Sequence, residues 1–407
     1  MVGVVSLLSA KAVRERAHKL LALGLEDRLP QFRVDLARLG AVADLVLEVT
    51  QQAYPTGDIP FHSRWRHFVI GGADRWAAIA DRVTWPDAAA RARAEFDLAI
   101  VSVLLDAGAG PAWRYHDVAT GTRIGRSEGL ALASLDMFAH GAFSSHVGEQ
   151  LRVDAEKLAR LSVGDLERAF QVSADNPLVG LEGRVALLRQ LGELIVRKPG
   201  VFATKDAARP AGLFDHLLAR TEKSRIAAAT ILSELLIQLG PIWPSRITLG
   251  GVALGDCWRH PALVTEDETS GLVPLHKLSQ WMTYSLIEPL QRAGVAVVDI
   301  DGLTGLAEYR NGGLFVDGGV LSLRDAGDAA RAHAVDSPLV VEWRALTVAL
   351  LDRLAGVIRQ RLGRDAESLP LAKILEGGTW AAGRQLAFER RPDGSPPLKV
   401  ISDGTVF

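Results

Sequence analysis

Two segments of the chain gather ionisable and aromatic side chains densely enough to do chemistry. The first is Ile59-Pro60-Phe61-His62-Ser63-Arg64-Trp65-Arg66-His67-Phe68, with two arginines, two histidines and three aromatic residues. Arg64 and Arg66 carry the planar, forked donors that grip a phosphate bidentately, which lysine does poorly. The same residues suit a helix start with a solvated basic face and Trp65 and Phe68 in the core, and residue types alone leave both readings open.

The second segment runs from Asp256 to Asp317. It opens with Asp256-Cys257-Trp258-Arg259-His260, continues through Leu275-His276-Lys277-Leu278-Ser279-Gln280-Trp281, and ends with Asp299-Ile300-Asp301-Gly302-Leu303-Thr304-Gly305-Leu306-Ala307-Glu308-Tyr309-Arg310. Lys277, Gln280 and Tyr284 stand at helical spacing and share one face. A lysine amid Leu275, Leu278 and Trp281 is expected to be partly buried, and an unpaired buried charge is too costly to persist. Glu308, set among Leu303, Leu306 and Ala307, is the natural partner. A carboxylate held by a lysine and an arginine stays ionised, and so orients a water or stabilises a cationic transition state. A purely structural ion pair draws on the same residue types.

Other motifs carry less. Gly125-Arg126-Ser127-Glu128-Gly129 matches the G-x-S-x-G nucleophile elbow, but the parallel strands that would confirm it are missing, and Ser127 reads as an N-cap for the helix that follows. Gly108-Ala109-Gly110 lacks the third glycine of a dinucleotide fingerprint. His62 and His67 are five apart, whereas two ligands on one helical face need a spacing of four, so no metal is expected.

The elements that must position these residues read as helices. Apolar residues recur with helical period over 10–25, 31–51, 87–106, 128–143, 165–171, 182–197, 213–239, 274–293, 340–362 and 379–388. Trp113–His116 and Thr122–Arg126, flanking Ala119-Thr120-Gly121, predict a hairpin. Val295–Ile300 and Leu314–Val316 are expected to form a second small sheet. Regular βαβ alternation is absent, which argues against a doubly wound sheet. The tail RRPDGSPPLKV reads as a surface extension.

Composition narrows the class. The 407 residues carry 46 Lys+Arg against 48 Asp+Glu, a net charge of −2 that argues against nucleic-acid or anionic-membrane binding by bulk charge. With 48% hydrophobic and 23% charged residues the chain is globular rather than disordered. The single cysteine, Cys257, permits no internal disulfide and suits a reducing compartment. No apolar run reaches the ~18 residues of a membrane span, and the N-terminus lacks a signal-peptide pattern, so a soluble cytoplasmic protein is expected.

At these segments the sequence resembles a known family. IPFHSRWRHF, LLDAGAGPAWRY, GRSEGLALASLDMF, NPLVGLEGRVALLRQLG, FDHL, GDCWRHPAL, LVPLHKLSQWMTYSLIEPL, DIDGLTGLAEYRNGGLFVD and LEGGTWAAG resemble the uracil-catabolism family, a Urc/Urg-type group of fungal and bacterial proteins long described as a domain of unknown function. The resemblance spans nearly the whole chain. It implies a uracil pathway that runs through ribosylurea: uracil becomes UMP, a partner similar to GTP cyclohydrolase II opens the ring, and urea is released later.

From about 130 to 360 the order of motifs is also remotely similar to queuosine-salvage proteins. These hydrolyse the N-glycosidic bond of a 5′-phosphorylated 7-deazaguanine riboside on an all-helical fold similar to helix-hairpin-helix glycosylases. Lys277-Leu278-Ser279-Gln280 resembles their Lys-Arg-Ala-Gln helix start. Asp299 to Arg310 resembles their Asp-(Ile/Leu)-x-x-(Leu/Ile)-Thr-x-Phe-Ala-Asp-Tyr-Arg, and Val341-Glu342-Trp343-Arg344 their Val-Glu-Ile-Arg. Their catalytic aspartate falls on Glu308 and their motif lysine on Lys277. Glutamate replaces aspartate here, and Asn311-Gly312-Gly313 replaces the usual Val-Pro-Gln, which implies a different base pocket.

Together these readings set the expectations. The fold class is mainly α, resembling helix-hairpin-helix glycosylases with one or two small β-hairpins. Residues 1–127 form an N-terminal helical layer, 128–360 a glycosidase-like core and 361–407 an extension packed on it. The function is hydrolysis of the N-glycosidic bond of ribosylurea 5-phosphate, or of a ring-opened UMP derivative, to ribose 5-phosphate and urea or a ureido acid. Glu308 and Lys277 are the catalytic pair. His62, Arg64, Arg66, Arg259, Gln280, Trp281, Asp299, Asp301, Tyr309 and Arg310 bind substrate. No metal or organic cofactor, nucleic acid or membrane is required, and a functional link to the ring-opening enzyme is implied. An amido or ureido C–N hydrolase and a non-catalytic metabolite-binding partner of the ring-opening enzyme are the alternatives.

Overall fold

The computed structural model describes residues 2–243 and 247–401. At its centre lies the helix Pro338–Leu362. Its bounds follow from local chemistry: Ser337 is the N-cap, Pro338 occupies the first helical position and Gly363, at φ 61°, closes the C-terminus. Every residue from Leu339 to Leu351 is buried, so this is a core helix wrapped on all sides. The helix Ala10–Leu25 packs against it, and the helix Lys277–Arg292 packs against Ala88–Leu104. Acidic and hydroxyl caps start many of the others. Asp87 accepts from Ala90 N at 2.6 Å, and Ser162 with Asp165 forms a capping box.

The chain is mainly α-helical. Its β-structure, among the described residues, consists of seven two-stranded ladders. The expected hairpin is one of them, with Tyr115–Asp117 antiparallel to Thr122–Ile124. Four local expectations are corrected. The periodicity over 31–51 covers two elements: Phe32–Val34 is a strand paired with Leu321–Leu323, and the helix is Leu39–Ala53. The 213–239 stretch splits into Gly212–Leu218 and Ala228–Leu239 around a strand, Arg225–Ala227, because Lys223 and Ser224 turn through positive φ. That strand, rather than Leu314–Val316, is the parallel partner of Ala296–Val298. Leu314–Val316 lies inside the helix Tyr309–Asp317. Finally, Gly125 rather than Ser127 is the N-cap of Arg126–Ala139, and Ser127 donates instead to Asp106 Oδ2 at 2.9 Å. For the two strands and for Ser127, a partner distant in sequence outweighs the local pattern.

The expected surface tail is partly tied down. Leu398 is buried, Lys399–Ile401 pairs in parallel with Ala332–Ala334, and the Gly394 carbonyl accepts from Arg310 Nη1 at 2.8 Å. The end of the expected 361–407 extension, residues 402–407, lies outside the described residues.

One buried ion pair braces the part of the fold that carries Lys277 and Glu308. Arg344, on the central helix, donates bidentately to Asp256 at 2.8 and 2.9 Å. Asp256 also accepts from Trp258 Nε1 at 2.6 Å and from the backbone N–H of Lys277 at 2.9 Å, so it fixes the start of the Lys277 helix. Arg344 Nε donates in addition to the carbonyl of Ala307, the residue before Glu308, at 3.1 Å. Burial alone would raise the Asp256 carboxyl, but the Arg344 charge and these hydrogen bonds outweigh it and hold it at about 2.

Asp256→Asn would leave the Arg344 charge without its counter-ion. We expect it to lower the unfolding free energy by about 3–5 kcal/mol in urea denaturation at neutral pH. The folded value lies below the ordinary 3.8, so the wild-type contribution is intact above that pH and is lost as pH falls toward about 2. An equal midpoint for variant and wild type at pH 7 would show that the pair does not brace the core.

Candidate active site

Glu308 is the N-cap of the helix Tyr309–Asp317. Its two carboxylate oxygens accept separate backbone N–H groups, Oε2 from Arg310 at 2.8 Å and Oε1 from Asn311 at 2.6 Å. The loop that delivers it is gripped from the Lys277 helix. Gln280 Oε1 accepts from Thr304 N at 2.8 Å, the Gln280 amide N–H donates to the Thr304 hydroxyl, and Tyr284 OH donates to the Thr304 carbonyl at 2.9 Å. Asn311 extends the support, donating to the Leu306 carbonyl and accepting from Thr379 Oγ1. The carboxylate is therefore held at a helix N-terminus by its own helix and by three neighbouring elements, a rigid placement for a negative charge.

Glu308 and Lys277 act on each other through their charges, but among the described residues they form no direct ion pair, contrary to the expectation that Glu308 is the partner of Lys277. Burial pushes Glu308 above the ordinary carboxylate value, opposed by the Arg310 N–H, the Lys277 charge and the Asn311 N–H. Burial likewise pushes Lys277 down, opposed first by Glu308 and then by Asp106. Both side chains nevertheless keep partial exposure, as do Tyr309, His62 and His67. Groups enclosed by protein and still reached by water mark a candidate cleft.

Four elements supply its other walls. From the first segment, His62 Nδ1 lies 2.8 Å from Glu376 Oε2, and its ring stacks on Trp281 with centroids 6.4 Å apart. His67 lies 5.4 Å from the same indole, and burial together with the Arg64 and His62 charges pushes it down to about 3, so it is neutral. Arg64 is fully buried, donating to Asp106 at 2.6 Å and standing 5.4 Å from the Trp281 ring. The helix Arg126–Ala139 brings Arg126, whose charge reaches Tyr309 and Arg310. The C-terminal region brings Glu376 on a π-helical turn, Leu375–Thr379, and Arg384, whose charge also reaches Arg310. The His62 backbone N–H donates to the Ala372 carbonyl at 2.9 Å and ties the first segment to this region.

The structure thus brings together Glu308, Lys277, His62, Arg64, Trp281, Tyr309 and Arg310. It places the other sequence candidates elsewhere. Arg66 pairs with Glu288 at 2.8 Å, so Arg64 and Arg66 do not converge on one anion. Arg259 and Asp299 are exposed. Asp301 is held by Arg359 at 2.8 Å and by the Leu371 N–H at 2.6 Å. Gln280 is fully buried with both ends of its amide engaged, so it positions the Glu308 loop. Sequence reasoning missed Glu376, Tyr54, Arg126 and Arg384. Arg126 sat in the Gly125–Gly129 motif, and Glu376 preceded Gly377-Gly378. A Cβ on Gly378 would come within 2.5 Å of the Val46 carbonyl oxygen, so the glycine marks where the π-turn packs tightly on the helix Leu39–Ala53.

The cleft carries a surplus of donors. Among the described residues, Arg64 Nη2, Arg126 Nη1, Arg310 Nε and Trp281 Nε1 are buried without a hydrogen-bond acceptor. Buried donors normally find partners, so this concentration suits a ligand rich in acceptor oxygens.

The family described as "Protein of unknown function (DUF1688)" matches residues 6–407. The chain is 40% identical over 414 residues to "Protein urg3" of Schizosaccharomyces pombe, covering 99% of each. It is 36% identical over 411 residues to "Uracil catabolism protein 4" of Lachancea kluyveri, covering 92% of each.

The electrostatic coupling is measurable without a substrate. Lys277 lowers Glu308, so Lys277→Met should let burial raise the Glu308 carboxyl further. A carboxyl-detected 13C NMR titration of the selectively labelled protein should place the Glu308 midpoint above the ordinary glutamate value in wild type and higher still in Lys277→Met. A downward move in the variant would contradict the coupling.

Proposed function

This chain belongs to the DUF1688 family, and from that premise we propose that it acts in uracil catabolism as an N-glycosidase on a 5-phosphorylated riboside. The favoured substrate is ribosylurea 5-phosphate or a ring-opened UMP derivative, with ribose 5-phosphate as the sugar product. The role in uracil catabolism rests on the relatives, one of which is named for that pathway. The chemistry rests on one observation above all: a carboxylate pinned by two backbone N–H groups, inside a cleft otherwise rich in cationic donors.

Loss of a nitrogen from C1′ leaves positive charge on the ribose ring, an oxocarbenium-like state. A fixed negative charge beside that ring stabilises it at no cost in reorganisation. Glu308 is placed to supply that charge and to take a proton from the attacking water; burial raises its carboxyl, and the Arg310 N–H, the Lys277 charge and the Asn311 N–H oppose the rise. Lys277 tunes Glu308 and faces the sugar hydroxyls. Burial, then the Glu308 charge, pushes the Tyr309 phenol up, so it stays a donor at neutral pH. Arg126 and Arg384 each act on Arg310 as a like charge, and an anionic ligand there would relieve that repulsion. They are the proposed seat of the 5-phosphate, in place of Arg64 with Arg66.

The test is direct. Purified protein is incubated with UMP, uridine, ribosylurea and ribosylurea 5-phosphate, and reducing sugar, urea and ammonia are assayed. Release of ribose 5-phosphate with intact urea is expected from the phosphorylated riboside. Ammonia with the riboside bond intact would instead identify a ureido C–N hydrolase.

Glu308→Gln should lower turnover by roughly 10²-fold or more, the scale of losing one preorganised charge. Binding should persist. Its altered helix cap costs ~1 kcal/mol, so thermal unfolding is measured alongside. Arg126→Gln and Arg384→Gln should instead raise KM for the phosphorylated substrate by about 10- to 100-fold, from the ~1.5–3 kcal/mol of a hydrogen bond to a charged group.

A further inference from the structure

The N-glycosidase reading leaves one chemical demand unmet. An amide-type nitrogen departs as a strongly basic anion unless it receives a proton as the C1′–N bond breaks. Glu308 and Lys277 do not meet that demand, because Glu308 is assigned to the ring and the water. A second titratable assembly faces the same cleft, on separate elements.

His62 sits just before the 3-10 helix Arg64–Phe68. Its Nδ1 is engaged by Glu376 Oε2 at 2.8 Å, and Glu376 Oε1 accepts from Tyr54 OH at 3.0 Å. The imidazole is also stacked on Trp281. A histidine whose one nitrogen is held by a carboxylate, itself held by a third group, has a set tautomer and a fixed ring plane. Its other nitrogen, Nε2, is left for the ligand. The Glu376 carboxyl is raised by burial but brought below its ordinary value overall, chiefly by the His62 hydrogen bond and charge, with help from the Tyr54 hydrogen bond. It is therefore ionised beside His62. Trp281, on which His62 stacks, lies on the helix that begins at Lys277, and the His62 charge also reaches Glu308.

We propose that His62 is the general acid that protonates the departing nitrogen group, and that Glu376 is its positioning residue. This assignment rests on the N-glycosidase reading. In the step, the Nε2–H proton passes to the ureido nitrogen or its carbonyl oxygen. The C1′–N bond breaks with its electron pair on the nitrogen. Water oxygen bonds to C1′ and gives its proton to Glu308. Neutral His62 and protonated Glu308 are left, and exchange with solvent restores both, with no oxidant or reductant involved. His67 cannot take this role, because it is held neutral and its Nδ1 lies 3.3 Å from Arg64 Nη1.

The test compares two leaving groups in the full-length protein. Ribosylurea 5-phosphate needs a proton on its leaving group, whereas p-nitrophenyl β-D-riboside 5-phosphate releases a stable phenolate and does not. His62→Gln should lower kcat on the ureido substrate by roughly 10²- to 10⁴-fold and on the p-nitrophenyl substrate by less than about tenfold. Glu376→Gln should give a smaller loss of the same pattern. Circular dichroism and thermal unfolding of both variants separate misfolding from lost catalysis. Equal losses on both substrates in folded His62→Gln, with the wild type active, would overturn the acid role and leave the glycosidase reading standing. Failure of the wild type to cleave either substrate would overturn the glycosidase reading and the acid role with it.

Discussion

Arg344 is the interaction on which the site depends. It is buried on the central helix, grips Asp256 with two hydrogen bonds and reaches the Ala307 carbonyl with a third. Asp256 in turn caps the backbone of Lys277. One guanidinium thus sets the positions of both candidate catalytic residues, although they lie 31 positions apart in the chain. A buried charge pair is a costly way to gain stability, because each ion loses its hydration. It is a good way to gain geometry, since a forked guanidinium tolerates only one arrangement of its acceptors.

The cleft is assembled from helix beginnings. Glu308, Lys277 and Arg126 each stand at or next to the first residue of a helix, where backbone N–H groups are open. The backbone there is unusual. His276, just before Lys277, has φ 46°, and Arg126 has φ 56°; both side chains are bulky for that region. The turn that carries Glu376 is π-helical. Strained conformations persist only where surroundings over-determine them, and they cluster at functional sites. In the same region, among the described residues, Arg64, Arg126, Arg310 and Trp281 keep buried donors without protein acceptors.

Much of this was legible in the sequence. Lys277 and Glu308 were marked by a simple argument: a lysine among leucine and tryptophan needs a carboxylate, and one lay in an equally apolar loop. The helix bounds at Pro338 and Gly363 follow from side-chain chemistry next to the affected backbone. So does the hairpin around Gly121, which turns at φ 67°. These are effects of near neighbours, and near neighbours are what a sequence displays.

What lay beyond it was decided by partners far along the chain. Arg64 and Arg66 look equivalent two residues apart, yet one is buried on Asp106 and the other is drawn to Glu288. Gln280 reads as a ligand-binding amide until Thr304 occupies both of its ends. Phe32–Val34 and Arg225–Ala227 lie in stretches with helical period but become strands because Leu321–Leu323 and Ala296–Val298 come to lie beside them. Glu376 joins His62 across more than 300 positions. The sequence by itself determined a helical, globular chain and two segments dense in ionisable and aromatic residues. Only the tertiary structure decided which charges would spend themselves on one another and which would remain for a ligand. The reason is physical: hydrogen bonds and ion pairs act over a few ångströms in space, and distance along the chain does not enter their energy.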